Sequence, residues 1–544
     1  MKKTNNTRKI AAMIAAMALT ATMVVPSAMM SASAASASIE ITGISATEAH
    51  TFEVYQIFTG DLTDGTFTNL RWGTGISQYD SAAVASGELV PSDTIDAITA
   101  LTGTDKEKAN TIISKITPSS TKACDNVVSD SGTASITGLA DGYYLIKDVT
   151  NLDGKDDANS AWIIQVAGTV TNLAIKNAKP SVDKQIHDEP ADAETGHTDT
   201  GWGESADHAI NESFQFKLTA TIPADSDLTA YETYKLMFTD TMSAGVTFES
   251  IESVTVGGTA IATTAYTANK VGSSPAAAPA NGDAGISWTL SIDDIIPLIP
   301  TGKTLGSDDI VVEVIYNAHL NENAIISTAS GNDLEVNNNK VKLTYSNNPD
   351  NTGAGTSKTG ETPEDFVWCF TYEVDNTKYK ISADPGNELE GAGFTLYSDS
   401  AKTNAIKLID NGDGTYTVAD QNAASGTTVT EMTSHAGDGI FNIKGLDAGT
   451  YYLSETSVPS DYNAAEDIEI VITATHVENS GGTAANLSLS GSNVDNKIVD
   501  TKNSALPSTG GMGTTLFILG GGMTAAAAGI YLVSKKRAKE ECAQ

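Results

Sequence analysis

Two sets of residues in this 544-residue chain combine a lysine with carboxyl groups in a phase that takes them out of water. Alternate side chains of a strand share a face, and Lys184 is in phase with Val182 and Ile186. Asp240 follows Leu236 and Phe238 in phase, and Asn347 follows Val341, Leu343 and Tyr345. Further on, Lys378 shares the phase of Tyr372 and Val374, with Lys380 as a rival. Glu455 shares that of Tyr451 and Leu453, and Asp500 that of Val494, Asn496 and Ile498. A lysine amine of pKa about 10.4 is no nucleophile at neutral pH, but desolvation lowers that value by several units. The same burial raises the pKa of a neighbouring carboxyl. A dry lysine beside a protonated acid is therefore an amine able to attack a carbonyl, with a proton relay at hand. The plainer use of each set is a neutralised salt bridge or a strand-edge polar residue.

Strands must position these groups, and the sequence is written for strands. Alternating runs such as Thr51-Phe52-Glu53-Val54-Tyr55-Gln56-Ile57 and Val341-Lys342-Leu343-Thr344-Tyr345 suit half-buried strands. Asp64-Gly65 and Asn411-Gly412 supply turns. The expected fold is all-β, as tandem immunoglobulin-like β-sandwiches. Ser92 to Ile116 reads as a helical insert in the first of them, with Asp93, Asp96 and Asp105 opening short helices. Breaks at Ala178-Lys179-Pro180 and in the Gly/Thr/Asn/Pro-rich stretch 347–364 divide the chain into domains at 38–178, 179–354 and 355–503. The first and third share an echo, Gly138-Leu139-Ala140-Asp141-Gly142-Tyr143-Tyr144-Leu145 against Gly445-Leu446-Asp447-Ala448-Gly449-Thr450-Tyr451-Tyr452-Leu453. Aligning the two leucines sets Lys147 opposite Glu455, so the first domain is expected to lack the acid and to form no cross-link.

The two ends read as processing signals. Lys2, Lys3, Arg8 and Lys9 precede an apolar stretch from Ile10 to Val25, and Ala32-Ser33-Ala34 and Ala35-Ser36-Ala37 offer small-residue cleavage sites. Residues 1–37 are thus an export signal peptide. At the other end, 504–544, Leu506-Pro507-Ser508-Thr509-Gly510 is followed by an apolar span at about 514–533 and by Lys535-Lys536-Arg537. About twenty residues at the helical rise just cross a hydrocarbon core, and the basic cluster holds the far end in the cytoplasm. The order of parts resembles the cell-wall sorting signal of Gram-positive surface proteins. The resemblance implies that a sortase cysteine cleaves between Thr509 and Gly510 and passes the threonyl group to an amine.

Composition agrees with an extracellular structural chain. Sixty-eight carboxylates against 32 basic groups leave a formal charge of −36, which repels nucleic acid and phosphate-rich surfaces. The three cysteines, Cys124, Cys369 and Cys542, show no disulfide framework. Asp410-Asn411-Gly412-Asp413-Gly414-Thr415 lacks the glutamate an EF-hand needs and reads as a hairpin turn. The stretch from His187 to His208 lacks zinc-site spacing and reads as a solvated loop, so no metal and no cofactor is expected. No phosphate-cradling glycine loop, Gly-x-Ser-x-Gly elbow or His-Glu-x-x-His is present, and the chain is not expected to be an enzyme.

Tyr452-Leu453-Ser454-Glu455-Thr456 after Gly449 resembles the glutamate box of Cna-B-like domains in pilins. Val182-Asp183-Lys184 with Tyr345-Ser346-Asn347 resembles the fimbrial isopeptide-forming domain that precedes it. Together with both terminal signals, the chain resembles a sortase-assembled major (shaft) pilin. That resemblance implies a Lys184–Asn347 bond assisted by Asp240. It also implies a Lys378–Asp500 bond assisted by Glu455, with Asn496 as the alternative to Asp500, which stands where the family usually has Asn. Lys176, exposed by phase beside Leu173 and Ile175 and followed by Asn177, resembles the pilin-motif lysine, with Ala174-Ile175 in place of Tyr-Pro; Lys179 is the alternative. The implied partners are a class C-type pilus sortase, identical subunits head to tail, minor pilins, and peptidoglycan through a housekeeping sortase. The competing expectation is a monomeric wall-anchored adhesin that binds a host or matrix ligand.

Overall fold

The computed structural model describes residues 37–46, 48–63, 65–167, 171–174, 179–188, 201–349, 358–424 and 426–502. The described residues are all-β, arranged as three successive units of two facing sheets, with a further small sheet of Ala82–Ala83, Ile76–Tyr79 and Ile116–Pro118 in the first. Most of the signal peptide, the sorting motif, the apolar span at 514–533, Lys176 and Cys542 lie outside the described residues. Ala37 is the buried first residue of the strand Ala37–Thr42, so cleavage after Ala34 leaves that strand whole, whereas cleavage after Ala37 trims it.

In the first unit, Thr171–Ala174 runs parallel to Ala37–Thr42, which pairs antiparallel with Thr133–Leu139. The facing sheet is Ala161–Val166, Gly142–Asp148, Thr51–Thr63 and Thr66–Trp72 in spatial order. This second sheet is covered on both sides. One face packs Phe52, Val54 and Ile146 against Ile39, Ile41 and Ile136. The other packs Ile57, Phe58, Tyr143 and Leu145 beneath Ile98 and Ile112 of the helices Ser92–Thr99 and Asp105–Ile113. Burial on both faces explains the unbroken apolar run Tyr143-Tyr144-Leu145-Ile146, which has no alternation. The helix Asp105–Ile113 opens on a capping box: the Thr104 side chain accepts from the Glu107 N–H while Glu107 reaches back to the Thr104 N–H.

The second unit alternates cleanly. Ser213–Ile222 and Ile310–Leu320 bury every other residue, and they pair antiparallel in the centre of one sheet, with Ser181–His187 beside them. The opposite sheet carries Asp365–Phe370, Asn338–Ser346, Leu236–Met242 and Ser287–Ile292 in order. Asp365–Phe370 pairs with Asn338–Ser346, so a boundary at 355 falls inside this unit, and the division lies at Thr371. Thr359–Glu361, inside the Gly/Thr/Asn/Pro-rich stretch, also pairs with Asn338–Ser346, so the described residues on either side of that stretch belong to one sheet.

The third unit sets Tyr372–Lys380 between Asn442–Leu446, antiparallel, and Asp495–Asp500, parallel. Its other sheet is built on Gly393–Tyr397, Gly449–Ser457, Ile468–Glu478 and Ala485–Ser492, and its edge is extended by Gly331–Leu334 from the second unit. Leu408–Asp410 and Thr415–Val418 form the hairpin expected around Asn411-Gly412, with Gly412 and Gly414 both at positive φ. The stretch ending at His208 departs from the solvated loop expected of it: Asp188, Ser205, Asp207 and His208 are all buried.

Two buried amine–carboxyl centres

Lys184 sits on a strand whose central residues Lys184 and Ile186 face the core, and its side chain has no solvent exposure. Its amine contacts the Asp240 carboxylate directly and donates to the Tyr316 hydroxyl at 3.1 Å. The ring of Phe216 lies 4.8 Å below the amine. Tyr316 in turn points its hydroxyl at both Asp240 oxygens, at 3.0 and 3.1 Å. Burial pushes the Lys184 pKa down, against the pull of Asp240. Burial pushes the Asp240 carboxyl up, against Lys184, Tyr316 and Trp288. Both shifts favour the proton moving from amine to carboxylate, which yields a neutral pair.

The structure does not bring Asn347 to this centre. Its side-chain amide donates to the carbonyls of Leu152 at 2.8 Å and Asp157 at 3.1 Å, both in the first unit. The residue that meets the lysine cluster is Asn339. It is fully buried, its Nδ2 donates to the same Tyr316 hydroxyl at 2.6 Å, and its Oδ1 has no hydrogen-bond donor. Asn339 pairs across the sheet with Met242, two positions from Asp240, which pairs with Val341. Asn339 and Asn347 lie in the same phase, but eight residues at the strand rise separate them by roughly 26 Å. Parity selects the face; it cannot select the position along the strand.

In the third unit Lys378, Glu455 and Asp500 converge, and all three side chains are fully buried. The Lys378 amine contacts Asp500 Oδ1 directly and donates to Glu455 Oε2 at 3.1 Å. The Phe394 ring lies 5.1 Å from that amine. Glu455 Oε2 also accepts from the Ala465 N–H at 2.7 Å, which fixes the carboxyl in place. Burial raises the Asp500 pKa, Lys378 opposes the rise, and Glu455 adds to it. The alternative Asn496 is engaged elsewhere: its amide donates to Asn376 Oδ1 at 2.9 Å and to the Asn493 carbonyl at 2.7 Å.

The first unit shows why its own site differs. The turns of units one and three keep the same spacing: glycines four residues apart bound each, with φ +80° at Gly138 and +159° at Gly142, and +83° at Gly445 and +149° at Gly449. Tyr144 and Tyr451 each donate their hydroxyl to the carbonyl four residues back, Ala140 and Asp447. Counting from these turns places Asp148, not Lys147, opposite Glu455. The pairing agrees, since Phe52 faces Asp148 as Phe394 faces Glu455. The expected absence of an acid is therefore corrected: an acid is there. What is missing is the amine, because the same register count puts Gly43 at the position of Lys378. His50 occupies the acid instead, with Nδ1 2.7 Å from Asp148 and Nε2 3.1 Å from Asp157. Burial alone would lower the His50 pKa, but the two carboxylates outweigh it and raise the value to about 9.

Of the two candidate linking lysines, only Lys179 lies in the described residues; it is partly exposed and paired with Asp156. Sequence reasoning missed Asn339, Tyr316 and Asp148. Asn339 and Tyr316 share the core phase of their strands, and Asp148 is found by counting from the glycine turn in place of the leucine.

Residues 375–483 match the prealbumin-like fold domain of the SpaA family, and residues 498–541 match the LPXTG cell wall anchor motif. Among curated protein sequences none matches the chain. Solved structures similar to it include the full-length major pilin SpaD from Corynebacterium diphtheriae, at 15% identity, TM-score 0.42, and covering 86% of this chain and 98% of that one. The T6 backbone pilin of serotype M6 Streptococcus pyogenes gives 18% identity and TM-score 0.44 over 87% of this chain and 100% of that one. The major pilin RrgB from Streptococcus pneumoniae gives 14% and 0.39 over 87% and 100%. The anchor motif assigns the chain to the outer surface, held at the cell wall.

Proposed function

On the premise of a wall-anchored chain that carries a prealbumin-like domain, we propose that this protein is the shaft subunit of a covalent surface pilus. The observation that carries the proposal is the pair of fully buried lysines, each in contact with a buried carboxyl and each near a second carbonyl group. Dry amines of this kind are suited to internal cross-links that hold a fibre under tension.

In the second unit the Asp240 carboxylate takes a proton from the Lys184 ammonium, and the freed amine attacks Cγ of Asn339. Asp240 delivers that proton to Nδ2, which leaves as ammonia, and takes up the second proton that the lysine nitrogen sheds, so that a Lys184–Asn339 amide and a protonated Asp240 remain. The Tyr316 hydroxyl holds amine, acid and amide together. In the third unit the raised pKa of Asp500 supplies a neutral acid as the electrophile. Lys378 attacks it, Glu455 shuttles the proton to the departing oxygen, and water leaves. Between subunits the sortase thioester of Thr509 passes to an exposed amine of the next chain, Lys176, with Lys179 as the alternative. One donor and one acceptor per subunit give a head-to-tail filament that does not close.

Co-expression with a pilus sortase tests the polymer. The expected product is an SDS-resistant ladder that collapses to monomer in Lys176→Ala. A ladder that survives in that variant and disappears in Lys179→Ala transfers the acceptor role to Lys179. A wild-type chain that never ladders removes the shaft reading in favour of a monomeric adhesin.

A further inference from the structure

We propose that Asp188, Asp207 and His476 form a divalent-cation site, of the zinc class, that staples the second unit to the third. Asp188 follows the strand Ser181–His187, and Asp207 ends the strand Ser205–Asp207, which runs parallel to Asp365–Phe370. His476 comes from Ile468–Glu478 of the third unit. One donor atom from each lies within 4.8 Å of the others, and all three residues are buried to 1% exposure or less.

The carboxyl of Asp207 is the strongest pointer. The Tyr372 hydroxyl and the His476 ring face it, but neither of its oxygens has a donor within hydrogen-bonding geometry, although the side chain is sealed from water. A buried carboxylate without donors is costly, and native structures avoid it unless a counter-charge is supplied. His476 Nε2 lies 3.7 Å from Asp207 Oδ1, too far for a hydrogen bond, while its Nδ1 is fixed 2.8 Å from Ser205 Oγ. A ligating histidine has its other ring nitrogen held in this way. Phe370 stacks on the imidazole at 5.2 Å and keeps the ring in place. Asp188 is turned toward the same point, with Oδ2 3.4 Å from the Asp207 N–H.

The donor set identifies the cation class. Two carboxylate oxygens and one imidazole nitrogen suit a borderline ion such as Zn²⁺, whereas Ca²⁺ wants six to eight oxygens. Donors around a tetrahedral Zn²⁺ at about 2.1 Å stand roughly 3.4 Å apart, so the cluster needs to close by about an ångström. A single 2+ charge placed between the two acids neutralises both. His208 lies close to Asp188 but is committed, with Nε2 2.8 Å from the His187 carbonyl.

The site is closed to solvent, so the ion must enter as the two units dock. The test therefore supplies metal during expression. The full chain is produced in Zn²⁺-supplemented medium, desalted through EDTA, and its metal content measured by mass spectrometry. The expectation is about one zinc per chain, falling at least about tenfold in Asp207→Asn and in His476→Gln, and unchanged in the remote variant His435→Gln. Growth with Co²⁺ should give weak visible d–d bands in the wild type that the two variants lose. This readout stands if either variant folds poorly, because it is taken on the wild type. A metal-free wild type without cobalt bands, or equal metal in all four proteins, overturns the proposal and leaves a buried histidine–aspartate ion pair.

Discussion

Replacing Asn339 by alanine tests the chemistry of the second unit at the point where phase alone offers two answers. A Lys184–Asn339 amide closes a loop of roughly 155 residues, and in the chain-entropy account a cross-link of that span is worth about 5 kcal/mol. Losing the Asn339–Tyr316 hydrogen bond adds about 1 kcal/mol. Asn339→Ala leaves the Lys184–Asp240 contact intact, so no orphaned buried charge confuses the measurement. For a unit of this size about 2–4 °C accompanies each kcal/mol, so the transition should fall by about 12–24 °C. Intact mass gives the covalent readout. The wild type should be lighter than its sequence by one ammonia and one water; Asn339→Ala should lose only the ammonia deficit, and Asn347→Ala should keep both. An ammonia deficit that survives in Asn339→Ala, or vanishes in Asn347→Ala, refutes the assignment, and a wild type at full sequence mass refutes both cross-links.

Four further outcomes are expected. Glu455→Gln should remove the water deficit. Asp500→Asn should release ammonia in place of water and arrive at the same amide, so its product should have the wild-type mass; a product of any other mass excludes Asp500 as the carbonyl donor. In the first unit the folded-state pKa of His50 stands at about 9, above its ordinary 6.5. Its contribution is therefore fully present below pH 6.5 and is lost as pH rises through 9, by at most about 3 kcal/mol. Thermal melts across that window should show the loss, and His50→Gln should flatten it; an equal slope in the variant refutes the role. Under single-molecule pulling from Lys179 to Lys502, extension should stop at the segment between Asn339 and Lys378, which is roughly 39 residues or about 140 Å at full stretch. Release of a whole sandwich would show that no cross-link bears the load.

Strand phase made much of this fold legible, because a half-buried strand writes its inward face into every second residue. It put Lys184, Asp240, Lys378 and Asp500 on the inward face, where they are buried, together with the buried side chain of Glu455. It could not separate Asn339 from Asn347, since both satisfy the same alternation and only the cross-sheet register distinguishes them. The same register is invisible in the echo between units one and three. Matching leucines shifted the alignment by one residue and set Lys147 against Glu455, whereas the glycine-bounded turn keeps the count and sets Asp148 there. A one-residue slip reverses the face, and here it hid an acid. The boundary at 355 failed for a related reason: a polar, turn-rich stretch is the same whether it joins two domains or two strands of one sheet.

The two proposed amides leave one interval of the chain between them without a covalent bypass, and non-covalent clasps join the second and third units across it. With both amides formed, load entering near Lys179 would pass from Lys184 to Asn339, and load leaving near Lys502 would pass from Lys378 to Asp500. Between them the chain must run through Asn338–Ser346 and Asp365–Phe370 before it reaches the strand of Lys378. Across this joint Gly331–Leu334 adds itself to the third unit's sheet beside Ala485–Ser492. Asn211 Nδ2 donates to the Val418 carbonyl at 2.8 Å, and the Ile210 N–H to that of Gly445 at 2.9 Å. Ser205 holds His476 from the other side. These contacts are loaded together and not in series, so no single hydrogen bond takes the whole force. A domain joint built as a short flexible linker would let the unprotected interval stretch first. Here the second unit lends a strand to the third, and the interval that chemistry does not secure is secured by shared sheet structure.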